Sequence, residues 1–492
     1  MASGLLRAEV MAGQEASTAV LQRAGLALGP LAFALAALLP PPAGMAPGAW
    51  LVAGLTVWMA VWWMTEAVPM AVTALLPFLV LPLSGVASAE ETASDYYSPI
   101  LFLLLGGAFI ALAIERTGLH RRLSLAILRV VGSGGGPGRL LFAFMISAAL
   151  ISMFISNTST ALIMMPMALA VLEAGSPSSE AGHGVQQEGI SGALPMGIAF
   201  AASIGGLGTI VGSPTNAISL GLLESIAGVR ISFVQWSLYG VPLVLLSIPL
   251  AAWIIARVQK VAAHPFDIDR ARAAIASERG WSSAERRLAL LFALTFAGWV
   301  TQPLVAPLLP PGSWTDGTIA VLAALALFVA PDGTGRSLLV WDEARHAPWS
   351  VIFMFGGGLA LAGGMQASGL TDWLGQALLP LETWPPILVA LAVVALVIVV
   401  TEFASNVATA TGIIPVVAAL VVSLGADPVL LALPAALAAS WGFMLPAGTG
   451  PNAIAWATGR IRIHRMVTAG ALLDIAGVFL LVGVVWGINS LI

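Results

Sequence analysis

Residues 155–161 read ISNTSTA and residues 404–410 read ASNVATA. Each puts Ser-Asn and a run of small or hydroxyl side chains near the middle of a long apolar stretch, 139–172 in one case and 386–423 in the other. A bilayer-crossing helix needs about 20 apolar residues, so both stretches are too long for one crossing. Each is expected to be a helical hairpin that enters the membrane and returns on the same side, with Ser-Asn at the turn.

The rest of the chain supports a membrane setting. It has 492 residues, 59% of them hydrophobic and 9% charged, with a mean hydropathy of +0.97. Soluble domains carry about 25% charged residues, and this chain lacks the polar shell that a water-soluble core of this size needs. Eleven further apolar segments are expected to span: 21–40, 48–67, 69–87, 99–115, 191–224, 232–257, 287–309, 316–331, 349–366, 428–458 and 466–490. Residues 1–20 hold Arg7, Glu9 and Glu15, do not resemble a cleaved signal, and read as a cytoplasmic tail. Lys260 is the only lysine, which argues against a nucleic-acid partner. There is no cysteine, and the five histidines are scattered, so thiolate chemistry and an HExxH zinc site are excluded.

Arginine places the loops. Segments 115–139, 258–286, 332–348 and 459–465 are basic, whereas 41–47, 88–98, 225–231, 310–315 and 367–385 hold almost no basic residues. The positive-inside rule then predicts a cytoplasmic N-terminus, an extracytoplasmic C-terminus and a plasma (inner) membrane location. On this topology the turn at 156 opens from the cytoplasm and the turn at 405 from outside. The linker 258–286 divides the chain into halves 21–257 and 287–492.

The halves repeat one another. ILFLLLGGAFIALAIERTGL (100–119) parallels VIFMFGGGLALAGGMQASGL (351–370). SMFISNTSTALIMMP (152–166) parallels TEFASNVATATGIIP (401–415), and SIGGLGTIVGSPTNAIS (203–219) parallels SWGFMLPAGTGPNAIAW (440–456). An odd number of spans separates equivalent points, so the copies are expected to be inverted. Inverted repeats with interrupted helices mark secondary transporters, with the site between the repeats. Segments 191–224 and 428–458 read as the interrupted helices.

Backbone freed by a break in lipid must be satisfied internally or line a polar cavity. Four breaks converge in this reading, at 156–158, 212–216, 405–407 and 448–452. Backbone carbonyls, Ser/Thr hydroxyls and Asn amide oxygens suit a hard monovalent cation such as Na+. Helix N-termini, capped by Ser, Thr or Asn, suit a carboxylate. Asn157 and Asn406 begin the returning half-helices and can touch both ligands. No Lys or Arg lies in the four breaks, so a dianion there depends on bound cations. Glu66, Glu402 and Asp474 are intramembrane-like acids. Glu66 and Asp474 lie near span ends in this reading, and structural roles are favoured for all three. The glycines at 134–136 read as a turn and those at 356–358 as a close-packing face. Trp50, Trp62, Trp63, Trp349 and Trp486 read as interfacial anchors.

With these motifs in place, the chain from about residue 48 onward resembles the divalent-anion/sodium symporter family of dicarboxylate, citrate and sulfate carriers. The resemblance rests on SNT (156–158), GSPTN (212–216), WDEARHAPWSVIFMFGGGLALA (341–362), SNVAT (405–409) and MLPAGTGPNAIAWA (444–457). It implies an all-α polytopic membrane protein and a homodimer, each protomer having a scaffold domain and a transport domain that slides as an elevator. It implies one Na+ near Ser152, Ser156, Asn157 and Gly212, and a second near Thr401, Ala404, Asn406 and Gly448. Substrate carboxylates would meet Asn157, Thr158 and Ser213 on one side, and Ser405, Asn406 and Thr449 on the other. Two positions depart from the family pattern. Val407 lacks the hydroxyl of Thr158, with Thr409 as a nearby substitute, and Gly450 replaces a proline.

The sequence therefore predicts a Na+-coupled symporter of C4-dicarboxylates (succinate, malate, fumarate) that needs no cofactor other than the coupling ion. A dicarboxylate exchanger or a sulfate or citrate carrier are the alternatives within the family. An ion channel is the remote alternative, disfavoured by paired dead-end hairpins. An enzyme is not expected, because no nucleophile–base or metal constellation lies near the motifs.

Overall fold

A computed structural model describes residues 2–132, 135–176, 187–273, 280–446 and 448–491, with backbone alone for 2–19. Gly134 of the first glycine run and 274–279 of the linker lie outside the described residues. The described chain is all-α, and a single isolated bridge between Pro331 and Ser337 is its only β-like pairing. Ten of its helices are long and apolar enough to cross a membrane, and five shorter apolar helices accompany them. Every expected apolar segment is met by one helix or by a broken pair. The first helix runs from Ala2 to Leu38, so the segment read as a tail continues the first span as helix. Its Ala, Leu, Glu and Arg are good helix formers, which gives the chain no local reason to stop.

The same order of elements occurs twice. In the first half it is Pro99–Thr117, Leu119–Gly132, Pro137–Ser152, Asn157–Gly175, Ile190–Gly206, Pro214–Ala227 and Phe233–Val258. In the second it is Trp349–Ala367, Leu370–Leu378, Pro386–Phe403, Asn406–Leu424, Pro428–Ala438, Gly450–Ala457 and Ile463–Asn489. A left-handed glycine, Gly118 or Gly369, separates the first two helices of each set, a conformation that glycine adopts without a Cβ penalty.

The two sets pack crosswise. The helix starting at Pro214 lies along the second returning helix, Asn406–Leu424. The helix starting at Gly450 lies on the first returning helix, Asn157–Gly175, and on Ile190–Gly206. The helix after each break thereby packs on the returning helix of the other half, and the second break meets the first hairpin, where a Cβ built on Gly450 would overlap Thr158 Oγ1.

Two apolar clusters support this arrangement. The large one runs from Leu101 to Val485. The smaller joins Met45–Leu81 to Met354, Leu361, Met365, Leu370 and Ala408. Gly356 and Gly357 permit the contact between them, because a Cβ on Gly356 would lie 2.8 Å from the Tyr96 carbonyl and one on Gly357 would overlap Ala74. The close-packing role expected of 356–358 holds. Trp63 departs from its expected place: it is buried, and its indole N–H donates to the Met70 carbonyl at 3.2 Å. The linker is not a free tether. The Asp267 N–H donates to the Gly175 carbonyl at 2.9 Å, and Arg122 pairs with Glu285 at 3.1 Å.

Candidate functional site

In the first hairpin the helix ends at Ser152 and restarts at Asn157. Ser156 caps the restart, its hydroxyl accepting the Ser159 N–H at 3.2 Å. Ser152 Oγ donates to Asn157 Oδ1 at 2.8 Å. The facing helix ends at Gly206, passes through a single turn at Ile210–Gly212, and restarts at Pro214 behind Ser213. Proline suits a first helical position, since its missing N–H would be unpaired there anyway. Ser213 accepts the Thr215 N–H at 3.3 Å.

Two residues not singled out by the sequence reading hold this break open. Thr209 donates its hydroxyl to the Met153 carbonyl and accepts the Gly212 N–H. Asn216 donates to the carbonyls of Gly206 and Thr209, at 2.7 and 2.8 Å. Its place in SPTN was the signal for it. The result is an oxygen-lined cradle at Gly212. A Cβ built there would lie 2.6 Å from Gly206 O, 2.9 Å from Ser152 O and 3.0 Å from Met153 O. A Cβ on Gly206 would overlap Asn157 Oδ1. Carbonyls at a helix C-terminus carry partial negative charge. Together with Ser152 Oγ and Asn157 Oδ1 they form a neutral oxygen set that fits a small monovalent cation.

The second half repeats the pattern. Thr401 Oγ1 lies 3.0 Å from Asn406 Oδ1 and 2.8 Å from Ala439 O. Ser405 caps the returning helix by accepting the Ala408 N–H at 3.2 Å. Thr449 caps the helix at Gly450 by accepting the Asn452 N–H at 3.3 Å, and Asn452 donates to Leu445 O at 3.2 Å. A Cβ on Gly448 would lie 3.4 Å from Glu402 O, 3.5 Å from Leu445 O and 3.7 Å from Thr401 O. This cradle is wider than the first. Ala404, buried and extended, ends the incoming helix. All the residues expected to hold cation or substrate therefore sit in the four breaks. Matching buried oxygens in the two halves have no hydrogen-bond partner among the described residues: Asn216 Oδ1 and Asn452 Oδ1, Ser203 and Ser440, Thr160 and Thr409. Unpaired buried polar atoms are rare in folded proteins, and here they recur at equivalent positions of the two halves.

The acids divide as follows. Glu402 is buried, and its carboxylate accepts N–H groups from Phe443, Met444 and Leu445. It caps the backbone that the second break exposes, so its role in the site is structural. Asp474 departs from the reading: it lies well inside the helix Ile463–Asn489 rather than near its end, is buried, and neighbours Glu402. Glu66 ends the helix Pro47–Thr65 in a left-handed conformation (φ 48°), as expected of a span end. Thr409 also differs from expectation. Its hydroxyl is buried, whereas Thr158 is exposed, so Thr409 does not occupy the place of the missing second hydroxyl.

The site is open on one side and covered on the other. Ser156 and Thr158 are exposed, and Phe154 beside them packs edge-on against Phe292 with ring centroids 4.9 Å apart. Ser405 and Val407 are half-buried, with Ser405 Oγ 3.8 Å from Met70 Sδ.

Residues 23–491 match the model of the sodium:sulfate symporter transmembrane region. The sodium-dependent dicarboxylate transporter SdcS of Staphylococcus saprophyticus is 39% identical over 483 residues, covering 94% of this chain and 91% of that protein. SdcS of Staphylococcus aureus USA300 is 35% identical over 480 residues, covering 96% and 92%. Among solved structures, the YdaH transporter of Alcanivorax borkumensis shares the fold with a TM-score of 0.52 at 16% identity, over 84% of this chain and 88% of that one. Two mirrored oxygen cradles, each beside a capped helix start, together with matches over nearly the whole length, show that this chain belongs to the divalent-anion/sodium symporter family of membrane transporters and is not an enzyme.

Proposed function

We propose that the chain is a Na+-coupled symporter of C4-dicarboxylates such as succinate, malate and fumarate. The observation that carries this is the pairing, in both halves, of a carbonyl-lined cradle with a helix N-terminus that shares an asparagine. One Na+ is held by Ser152, Ser156, Asn157 and Gly212, the other by Thr401, Ala404, Asn406 and Gly448. The substrate's two carboxylates lie between the halves, at Asn157, Thr158 and Ser213 and at Ser405, Asn406 and Thr449. The dicarboxylate named for both SdcS relatives supports this choice over sulfate.

Cation binding comes first in this mechanism. Asn157 and Asn406 each turn their Oδ1 toward a cradle and their Nδ2 toward the carboxylate, so a filled cradle orients the donor. With no Lys or Arg in the breaks, the bound cations offset the dianion and the empty site repels it. Net translocation of one without the other is then disfavoured, which is coupling. The halves are inverted in the plasma membrane with the N-terminus cytoplasmic, the hairpins are re-entrant, and two protomers form a homodimer. The hairpins and broken helices move as one body against the scaffold.

The test is uptake of radiolabelled succinate into proteoliposomes, with an inward Na+ gradient or choline in its place. Gradient-dependent entry into vesicles without internal dicarboxylate is expected. Uptake indifferent to Na+ that appears only with internal dicarboxylate makes the protein an exchanger instead.

A further inference from the structure

Among the differences between the two halves of the site, two bear on hydrogen-bond donors and fall on opposite sides. Thr158 in the first hairpin corresponds to Val407 in the second, and Pro214 in the first break corresponds to Gly450 in the second. Because the halves pack crosswise, Thr158 faces Gly450: a Cβ on Gly450 would overlap Thr158 Oγ1 and lie 3.1 Å from its Cγ2. The opposite end combines Val407 with the helix that starts at Pro214, which packs along the helix carrying Val407.

The donors available at the two ends are unequal. At the first, Thr158 is exposed, and among the described residues its hydroxyl makes no hydrogen bond. Gly450 is exposed too, and its N–H opens a helix, where backbone donors have no intrahelical partner. At the second, Val407 has no hydroxyl and Pro214 no N–H. Val407 is half-buried against both apolar clusters. Glycine at 450 is what lets the Thr158 hydroxyl and a free N–H share one place.

We propose that the carrier distinguishes the two ends of its substrate and prefers a dicarboxylate with a hydroxyl or oxo group beside one carboxylate, which it binds at the Thr158–Gly450 end. The carboxylate at this end takes the Thr158 hydroxyl, and the extra oxygen beside it meets the Gly450 N–H, which an unsubstituted dicarboxylate leaves unpaired. The same oxygen at the other end faces Val407 and proline and gains nothing. This rests on the dicarboxylate reading above, sets each hairpin against the helix start of the other half rather than its own, and adds an orientation and a substituent preference.

The experiment compares succinate, malate and tartrate as competitors of labelled succinate uptake. Their effect on the melting temperature of the purified protein serves as a binding readout that does not need transport. Malate is expected to compete about fivefold more strongly than succinate, as for one additional hydrogen bond. Tartrate is expected to do no better than malate, because its second hydroxyl faces the apolar end. In Thr158→Val and Gly450→Pro the malate-to-succinate ratio is expected to fall to about one. Val407→Thr supplies a gain that no folding defect can mimic: tartrate should improve relative to malate. Equal competition by malate and succinate in the wild type, or a ratio that survives both loss variants, overturns the preference while leaving dicarboxylate transport intact. If none of the three is bound or transported by the wild type, the dicarboxylate reading fails, and this inference fails with it.

Discussion

Asn157 and Asn406 each stand at the first position of a returning helix, with Oδ1 turned back toward Ser152 or Thr401. An amide there has one oxygen for a cation and one N–H2 for an anion, and alanine has neither. Asn157→Ala and Asn406→Ala are each expected to abolish succinate uptake. Near-normal uptake by either variant, at matched protein per vesicle, refutes the shared-ligand geometry. Thr409 is the contrasting case. Its hydroxyl is buried whereas that of Thr158 is on an exposed residue, so Thr409→Ala is expected to leave the apparent affinity for succinate unchanged; a raised half-saturation concentration would put the hydroxyl in the site after all. Glu402 acts on backbone. Its removal strips the acceptor from the N–H groups of Phe443, Met444 and Leu445, each costing about 1–3 kcal/mol if left buried and unpaired. Glu402→Ala should therefore melt well below the wild type in a tryptophan-fluorescence scan, and an unchanged melting temperature would show that water or a neighbour replaces the carboxylate.

The breaks and hairpins are the elements that matter, and their chemistry is largely local. Pro214, Pro451 and the caps Ser156, Ser213, Ser405 and Thr449 can be read directly, because a cap bonds within its own first turn. The cradles cannot be read this way, since their carbonyls come from segments far apart in the chain. The two cradles also differ in tightness, which no motif reveals. A methyl group at Gly212 would crowd three carbonyl oxygens at 2.6–3.0 Å, whereas at Gly448 it would make ordinary contacts at 3.4–3.7 Å. Gly212→Ala is expected to lose Na+-stimulated uptake and Gly448→Ala to retain it, as read from the Na+ dependence of initial rates. The reverse result would show that the second cradle, and not the first, controls coupling.

At the scale of the whole molecule the halves are tied at one end by a charged knot. Glu188 accepts from Arg462 at 2.9 Å and from Arg465 at 2.7 Å. Gln187 donates to Gly459 O at 3.1 Å, and Arg460 donates to Ser191 Oγ at 2.9 Å. These bonds join the start of the first broken helix to the segment after the second. Glu188→Gln removes the charge that Arg465, itself buried, is paired with. It is expected to lower the melting temperature without changing the half-saturation concentration for succinate. A change in that concentration at an unchanged melting temperature would place the knot in the transport cycle rather than in the fold.

Hydropathy, the Ser-Asn turns, the proline and glycine breaks and the duplicated motif order all follow from residues close together in the chain, so the all-α membrane architecture and the membership of the four breaks were legible before any coordinates. Their physics is local: transfer into lipid, capping within one turn, and the backbone limits of proline and glycine. Other features depended on packing. Glu402 reaches N–H groups some 40 residues ahead of it, Asp474 lies inside its helix, Trp63 is buried, Thr409 is turned inward, and Thr158 rests on Gly450. The contacts of Glu402 and Thr158 result from segments distant in sequence settling against one another. The free energy that selects such contacts belongs to the assembled interior, and no short stretch of sequence carries it.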